Sequence, residues 1–413
     1  MKNNLRKGYT TGSCCAAAAG SAMLELLDGE TLSEYEIIGP TGAHILVPIS
    51  NIKIINERSA TAVVIKDGGD DPDITTGAEV VATISLVKEF TDIVCNIKED
   101  KGYFLDERVY LQVGEGIGIV TKPGLACPEG KSAVNPVPRK MILKEVIKQA
   151  ESCCYEGKVL VEISIPKGRK IAENTYNPKL GIVGGISVLG TTGIVEPMSS
   201  QAILETVKVE LSVARALNKS SSVIITPGNY GVDFLENSDF VRDFPEENII
   251  KVSNFIGEST VLAVQSGFRH LIVSGHLGKM IKVAGGMLNT HSKYGDNRVE
   301  TAILILEEIA GESNDKNINS HGEKFSWINE KDQLIDDIKD AVMVDEILRL
   351  IKDYGGDHLL RDFSKRVCKK VSGVLNDNLV KENEKYDKIR MDIIVFTNKF
   401  GLLYCDEIGR QLT

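Results

Sequence analysis

The sequence predicts a mixed α/β fold in two domains, because the rhythm of helices and strands changes near residue 196. Residues 1–195 combine an early helix with strand-like runs and many loops rich in glycine, aspartate and proline. This pattern indicates an α+β domain with a mostly antiparallel sheet. Residues 196–413 alternate helices with short apolar strands, which is typical of a parallel, Rossmann-like sheet. The length of 413 residues suits two domains.

The composition is that of an ordinary globular protein, with 42% hydrophobic and 26% charged residues. Acidic side chains outnumber basic ones by 58 to 48, which argues against a general nucleic-acid or anionic-membrane binder. No apolar run reaches the roughly 18 residues that a membrane span needs. The eight cysteines have no zinc-ligand spacing and are typical of reduced thiols. We therefore expect a cytoplasmic protein with no nucleic-acid or membrane partner.

The first helix has clear start and stop signals. Thr10, Thr11 and Ser13 offer hydroxyls that can cap its N-terminus, and Gly29 is a suitable C-terminal residue. Because the stretch 14–27 is mostly alanine with helical spacing, we interpret it as a mature amphipathic helix and not as a secretory signal.

Further elements follow in order along the chain. The first domain has strand-like runs at 45–55, 60–65, 79–86 and 159–165. A helix at 200–217 opens the second domain, and short strands at 223–226, 249–252 and 270–274 each run into a polar loop. Later patterns predict helices at 334–354 and 359–375 and a last strand at 393–397.

The densest polar motif runs from residue 66 to residue 77. It begins with Lys66 and places four carboxylates within seven residues: Asp67, Asp70, Asp71 and Asp73. Such charges repel one another, so a divalent metal, N–H groups or a cationic ligand is needed to offset them. An aspartate-rich turn that caps the next element explains the pattern equally well.

Two other segments suit ligand binding. The glycine-rich stretch 181–193 contains Gly184, Gly185, Thr191 and Thr192, and its backbone can lie flat against a large ligand. The alternative is a constrained loop between domains. The turn 135–140 presents Arg139, and its alternative is a solvated entry to a helix expected from Met141.

A third cluster follows the strand ends of the second domain. His276, Lys279 and Lys282 come directly after one strand, where parallel sheets form their ligand crevice. Lysines and helix N-termini attract carboxylates or phosphates there. A lone histidine is often structural, so both interpretations of His276 stay open. Further polar side chains in this domain are Asn229, Asn254, His291 and Asp296.

Together these segments resemble the cobalt-precorrin-5B C(1)-methyltransferase family, CbiD, of anaerobic cobalamin (vitamin B12) biosynthesis. The resemblance runs in order across about the first three hundred residues, through the segments 6–14, 66–73, 114–118, 133–139, 177–197, 227–229, 253–255, 275–285 and 289–298. One departure is Thr76, which stands where many members are expected to have histidine. The region after about residue 311 has little diagnostic pattern.

The resemblance implies a two-layer α+β sandwich followed by a Rossmann-like three-layer α/β domain. It implies transfer of a methyl group from S-adenosyl-L-methionine to C-1 of a small-molecule tetrapyrrole, cobalt-precorrin-5B, giving cobalt-precorrin-6A. Cobalt would arrive only within the substrate, so no metal site of the protein is required. The usual glycine-rich methyltransferase signature is missing, so the donor site is not readable from a motif.

We assign roles on this basis. Asp70, Asp71 and Asp73 would stabilise the sulfonium or shape the ring, while His276 or His291 would handle a proton. Arg139, Lys279 and Lys282 would meet the carboxylates at the rim of the macrocycle. The remaining expected substrate- or cofactor-binding residues are Thr10, Thr11, Ser13, Lys66, Gly184, Gly185, Thr191, Thr192, Asn229, Asn254 and Asp296. Two rival functions remain: a non-catalytic tetrapyrrole carrier, and a metal-dependent phosphate enzyme that uses the acidic motif.

Overall fold

A computed structural model describes residues 5–90, 101–218, 220–238, 244–315 and 326–406. The chain forms two compact units, Met1–Ser199 and Ser200–Thr413. Cys95, one of the eight cysteines, lies outside the described residues.

The first unit contains a six-stranded sheet of order β4-β5-β6-β10-β8-β7. Only the β10–β8 pair is parallel, so the expectation of a mostly antiparallel sheet is confirmed. Shorter ladders join β1 to β12, β2 to β3 and β9 to β11. The strands are β1 (Gly8–Tyr9), β2 (Glu34–Ile38), β3 (His44–Pro48), β4 (Asn51–Asn56), β5 (Ser59–Ile65), β6 (Glu79–Val87), β7 (Tyr103–Phe104), β8 (Val109–Val113), β9 (Ile119–Val120), β10 (Lys158–Ser164), β11 (Ile182–Val183) and β12 (Ile194–Val195).

The single strand expected at 45–55 is wrong, because the chain changes sheets there. β3 ends at Pro48 and pairs with β2, whereas β4 begins at Asn51 and pairs with β5. A proline has no N–H to donate, which suits the end of a strand at this change of sheet.

Helix α1 (Thr11–Asp28) lies at the centre of the first unit. Its caps are as expected: the Thr10 side chain accepts from the Ser13 N–H, and Gly29 is left-handed at φ 73°. The expected amphipathic character is wrong, since every residue from Thr11 to Met23 is buried between the sheet and helix α2. Small side chains make this possible; a Cβ at Gly20 would stand 2.5 Å from the Tyr35 ring.

Helix α2 (Pro136–Ser152) begins five residues earlier than expected. Asn135 is its N-cap residue, and proline at the first helical position needs no hydrogen-bond acceptor for its nitrogen. Arg139 therefore lies in the first turn of a helix and not in a rigid loop. A short helix, α3 (Gly168–Ala172), follows β10.

The second unit is built on a five-stranded sheet of order β14-β13-β15-β16-β17. Four strands are parallel, as expected, and β17 adds an antiparallel edge that the sequence did not reveal. The strands are β13 (Ser222–Thr226), β14 (Ile249–Lys251), β15 (His270–His276), β16 (Arg390–Thr397) and β17 (Gly401–Cys405). The helices are α4 (Ser200–Leu217), α5 (Asn229–Glu236), α6 (Ile256–Gln265), α7 (Leu277–Ala284), α8 (Arg298–Asp315), α9 (Lys331–Lys339) and α10 (Val344–Glu382).

Both faces of this sheet are covered, which gives three layers. Val223 and Val273 share one core cluster with α4, α6, α7, α8 and α10. Ile224 and Ile272 point to the other face and pack with Leu235 of α5. The mixed α/β class expected from the sequence is confirmed.

The C-terminal helices differ from their expected bounds. One helix ends at Lys339 and the next begins at Val344, so the helical break lies earlier than expected. At 355–358, where the sequence predicted a gap between helices, the structure has a kink at Gly356, where φ is 63°. Among the described helices, none combines the length and the hydropathy needed to cross a bilayer.

Candidate active site

The acidic loop of the first unit (residues 66–73) is held by the N-terminal segment. Arg6 forms a bidentate ion pair with Asp67, and its backbone N–H donates to Asp70 Oδ2 at 2.6 Å. Asp71 accepts from the Met198 N–H at 2.9 Å. The guanidinium of Arg6 holds the pKa of Asp67 below its usual value. Each carboxylate therefore has its own partner.

Lys66 and Asp73 form a buried ion pair within this loop. The Lys66 side chain is 1% exposed and its ammonium donates to Asp73, which also accepts from the N–H and hydroxyl of Thr75. Burial raises the pKa of Asp73, but Lys66 and Thr75 outweigh it and leave the pKa below its usual value. Thr76, at the position where histidine was expected, accepts from the Gly68 N–H at 3.2 Å. These contacts hold the loop in shape; catalytic roles for Asp70, Asp71 and Asp73 stay predictions.

The carboxylates of the acidic loop do not converge on one point. Within the described residues, no group of three or more His, Cys, Asp or Glu side chains is arranged to hold a metal ion. The partners described above account for the charges of the acidic loop as those of a capped, internally paired turn.

The hydroxyls at the start of α1 hold the segment that precedes β12. Ser13 Oγ donates to the Gly193 carbonyl at 2.6 Å, and the Thr10 side chain caps the helix. Thr11 is buried, and Thr192 donates to the Ile194 carbonyl. The geometry thus gives the hydroxyls of Thr10, Ser13 and Thr192 internal partners.

The glycine-rich stretch presents backbone to solvent at one point. Gly184 is exposed with φ 86°, and a Cβ there would meet nothing within 4 Å. Its neighbour Gly185 is buried, since a Cβ would stand 2.2 Å from the Gly116 carbonyl oxygen. Val183 and Leu189 are more than half exposed beside it, and Thr191 is also exposed. Binding of a flat ligand at this exposed backbone stays a prediction.

Arg139 is positioned by an aromatic ring. Its guanidinium lies 3.9 Å from the centre of the Tyr103 ring, and its Nε is buried without a hydrogen-bond partner among the described residues. Tyr103 is fixed in turn, because its hydroxyl donates to the Ser132 carbonyl at 2.6 Å. Arg139 is therefore a half-buried cation and not a freely solvated one.

Cys14 is expected to resist alkylation although it lies within the N-terminal family motif. The thiol is fully buried, and burial raises its pKa to about 12. A nucleophilic cysteine needs the opposite, a lowered pKa and access. Peptide mass mapping after iodoacetamide treatment of the native protein should find label on the exposed Cys154 and none on Cys14. Rapid labelling of Cys14 would contradict a purely structural role.

In the second unit, three parallel strands end beside one another and form what we call the carboxyl-edge site. We define it by Gly228, Asn229, Lys251, Ser253, Asn254, His276 and Lys279. The backbone is left-handed at Gly228 and also at Ser253, where φ is 55°. A positive φ is uncommon for residues other than glycine and is frequent at ligand-binding sites.

Lys279 is the central cation of this site. Its Nζ donates to the Ser253 carbonyl at 3.2 Å and lies 3.7 Å from the position of a Cβ on Gly228. Burial, and to a smaller extent Lys282, lowers the pKa of Lys279. Among the described residues no carboxylate pairs with this half-buried ammonium.

His276 caps helix α7 and keeps one nitrogen for other partners. Its Nδ1 accepts from the Gly278 N–H at 3.1 Å, while Phe396 packs edge-on and Tyr230 lies beside the ring. Burial lowers the pKa of His276, so the neutral form dominates at pH 7. Because Nδ1 accepts, the proton of the neutral ring is on Nε2, which is therefore a donor.

Three other expected site residues, Lys282, Asp296 and His291, lie outside the carboxyl-edge site as defined above. Lys282 is buried, donates to the Gly295 carbonyl and lies 3.9 Å from Asp296. Arg298 also binds Asp296 and lowers its pKa. Helix α7 thus turns Lys282 inward, and its assigned role at the rim of the macrocycle stays a prediction. His291 is exposed and accepts from the Lys293 N–H to cap a 3₁₀ turn.

The asparagines of the carboxyl-edge site connect its loops. Asn229 accepts from Lys251 at 3.1 Å, and Asn254 accepts from the hydroxyl of Thr290. Sequence reasoning missed Lys251 because a lysine at the end of a short strand carries no motif. It also missed the aromatic neighbours of His276, one of which comes from β16, more than a hundred residues further along the chain.

Fold and site together define an α/β protein with a Rossmann-like sheet, whose carboxyl edge carries the ammonium of Lys279 and is the usual position of a ligand site in this class. Comparison with known proteins identifies the family to which the chain belongs. The sequence profile of the CbiD family matches residues 1–197. A cobalt-precorrin-5B C(1)-methyltransferase from Thermoanaerobacter sp. (strain X514) is 36% identical over 400 residues, covering 97% of this chain and 94% of the relative. The enzyme of the same name from Methanocaldococcus jannaschii is 42% identical over 293 residues, covering 71% and 74%.

This chain belongs to the CbiD family. The resemblance seen in the sequence is confirmed, and the bacterial match extends past residue 311, where no diagnostic motif was found. A crystal structure of the cobalamin biosynthesis protein cbiD from Archaeoglobus fulgidus also matches, with 26% identity, a TM-score of 0.36, and coverage of 68% of this chain and 80% of that one.

Proposed function

We propose that this chain transfers a methyl group from S-adenosylmethionine to C-1 of cobalt-precorrin-5B, giving cobalt-precorrin-6A and S-adenosylhomocysteine. The observation that carries the proposal is the near full-length similarity to a cobalt-precorrin-5B C(1)-methyltransferase. The geometry of Lys279 agrees with it. A half-buried ammonium without a carboxylate partner among the described residues suits a substrate whose rim bears carboxylates.

The carboxyl-edge site can bind such a rim in three ways. Lys279 supplies charge, and the left-handed Gly228 leaves room for a ligand beside that ammonium. The N-terminus of α5, which begins at Asn229, adds backbone N–H donors. His276 donates from Nε2.

When bound, S-adenosylmethionine supplies an electrophilic methyl group: its S–C bond breaks with the electron pair left on sulfur as C-1 forms the new C–C bond. The chain's own contribution is to orient C-1 and to exclude water, because in-line transfer depends chiefly on positioning. Cobalt belongs to the substrate.

Release of S-adenosylhomocysteine separates this function from its two rivals. Incubating the protein with both substrates should give S-adenosylhomocysteine and methylated tetrapyrrole in equal amounts by chromatography, with no effect of EDTA. Tetrapyrrole binding without S-adenosylhomocysteine would indicate a carrier. Loss of activity in EDTA would indicate the metal-dependent alternative.

A further inference from the structure

A cavity of about 610 Å³ opens within the second unit, apart from the residues discussed so far. Helices α4 and α6, the segment 288–294 and the end of α10 line it. Its apolar lining includes Leu204, Val261, Leu262 and Leu288. The volume lies in the range of small-molecule sites, roughly 300–1,000 Å³.

The charged side chains of the cavity are mainly acidic. Glu205, Glu258 and Glu382 line it together with a single lysine, Lys208. A polycarboxylate is repelled by such a lining, whereas a ligand with net positive charge is attracted. Of the two substrates in the proposed reaction, only the methyl donor carries net positive charge.

Glu258 supplies a second, independent indication of a ligand. It lies in the first turn of α6, and its Oε2 is buried without a hydrogen-bond partner among the described residues. Buried carboxylate oxygens are normally satisfied. A ribose diol offers adjacent O–H donors to such a carboxylate, as acidic residues in nucleotide sites accept from ribose.

The cavity adjoins the carboxyl-edge site through one strip of backbone. Asn289 lines the cavity and pairs with Phe255 across a β-bridge. The next residue, Thr290, bonds to Asn254, and Ser253 accepts from Lys279. The cavity and the site around Lys279 are therefore lined by paired backbone segments that neighbour each other in the chain.

We infer that this cavity binds the methyl donor, a sulfonium-bearing adenine nucleoside, with Glu258 accepting hydrogen bonds from its ribose. The inference rests on the proposed function. The apolar lining that includes Leu204 and Val261 receives the adenine, the carboxylates offset the positive charge, and Lys208 is placed for the carboxylate of the amino-acid end.

Calorimetric titration of the full chain with S-adenosylmethionine and with S-adenosylhomocysteine tests this assignment. Glu258→Gln should weaken both affinities at least about tenfold, and Leu204→Trp should do so by filling the cavity. Glu307→Gln, the same change at an exposed carboxylate of the second unit, should leave them unchanged. The KM for the tetrapyrrole should stay within about twofold in all three variants.

Thermal denaturation shows whether the variants fold. Removing an unpartnered buried charge should leave the melting temperature of ligand-free Glu258→Gln equal to or above that of the wild type. Affinities within about twofold of wild type in both cavity variants would overturn the site while leaving the methyltransferase intact. A wild-type chain that binds no S-adenosylmethionine and forms no methylated product would overturn the proposed function as well.

Discussion

Replacing Lys66 by methionine is expected to lower the free energy of unfolding by about 3 kcal/mol, the largest stability effect anticipated for a single polar side chain here. Methionine keeps most of the packing volume but leaves the Asp73 carboxylate buried without its cation. The figure is at the lower end for a broken buried pair, because the Asp73 side chain retains 22% exposure. Urea denaturation followed by far-UV circular dichroism measures it.

The matched control is Lys53→Met, at an exposed lysine of β4, which should change stability by less than about 0.5 kcal/mol.

The pH dependence of the free energy of unfolding adds a second check on the Lys66–Asp73 pair. The lowered pKa of Asp73 means that the pair stabilises the wild type above the unfolded carboxyl pKa, near 3.9, and that this contribution is lost as the pH falls through the folded pKa. The gap between wild type and Lys66→Met should therefore narrow in acid. Equal stability of the two proteins at neutral pH would show that the pair is energetically unimportant.

Replacing Lys279 by alanine is expected to raise the KM for cobalt-precorrin-5B at least about tenfold and to change kcat much less. A charge-assisted hydrogen bond is worth about 1.5–3 kcal/mol, and a contact to the rim of the ring is made equally in the ground state and the transition state. Steady-state kinetics with saturating methyl donor measures both constants. Lys369→Ala, at an exposed lysine of α10, is the control and should behave as wild type. Unchanged kinetics for Lys279→Ala would remove this residue from the substrate site.

The pH dependence of tetrapyrrole binding tests the same contact without removing the side chain of Lys279. The pKa of Lys279 is lowered, so its ammonium deprotonates at a lower pH than an ordinary lysine does. Affinity for the tetrapyrrole should accordingly decline as the pH rises through that lowered pKa. Lys279→Arg keeps its charge throughout and should extend binding to higher pH. An identical alkaline limb in both proteins would assign the decline to another group.

The elements with local signals were predictable from the sequence. The caps of α1 at Thr10 and Gly29 and the parallel strands of the second unit depend on neighbouring residues and on hydrophobic period, and the structure confirms them. The burial of α1 on all sides was not predictable. It depends on α2 and on Tyr35, which pack against alanines that a sequence pattern alone assigns to a surface helix as readily as to a core.

Site residues divide in the same way. The position of His276 and Lys279 at the carboxyl edge was predictable, because both directly follow or end a parallel strand, while their binding roles stay predictions. The inward orientation of Lys282 was not predictable from the sequence, because its partners Gly295 and Asp296 lie in a later loop of the chain. Glu258 carried no signal at all. Its surroundings come from segments between residues 201 and 382, which only the folded chain brings together.

The position of the transferred methyl group tests the central claim most directly. The protein should be incubated with cobalt-precorrin-5B and S-adenosylmethionine labelled with ¹³C in the methyl group, and the product analysed by mass spectrometry and by ¹³C NMR after removal of cobalt. We predict one labelled methyl group per tetrapyrrole, bonded to C-1. A product without label, or with the label on another ring carbon, would contradict the account.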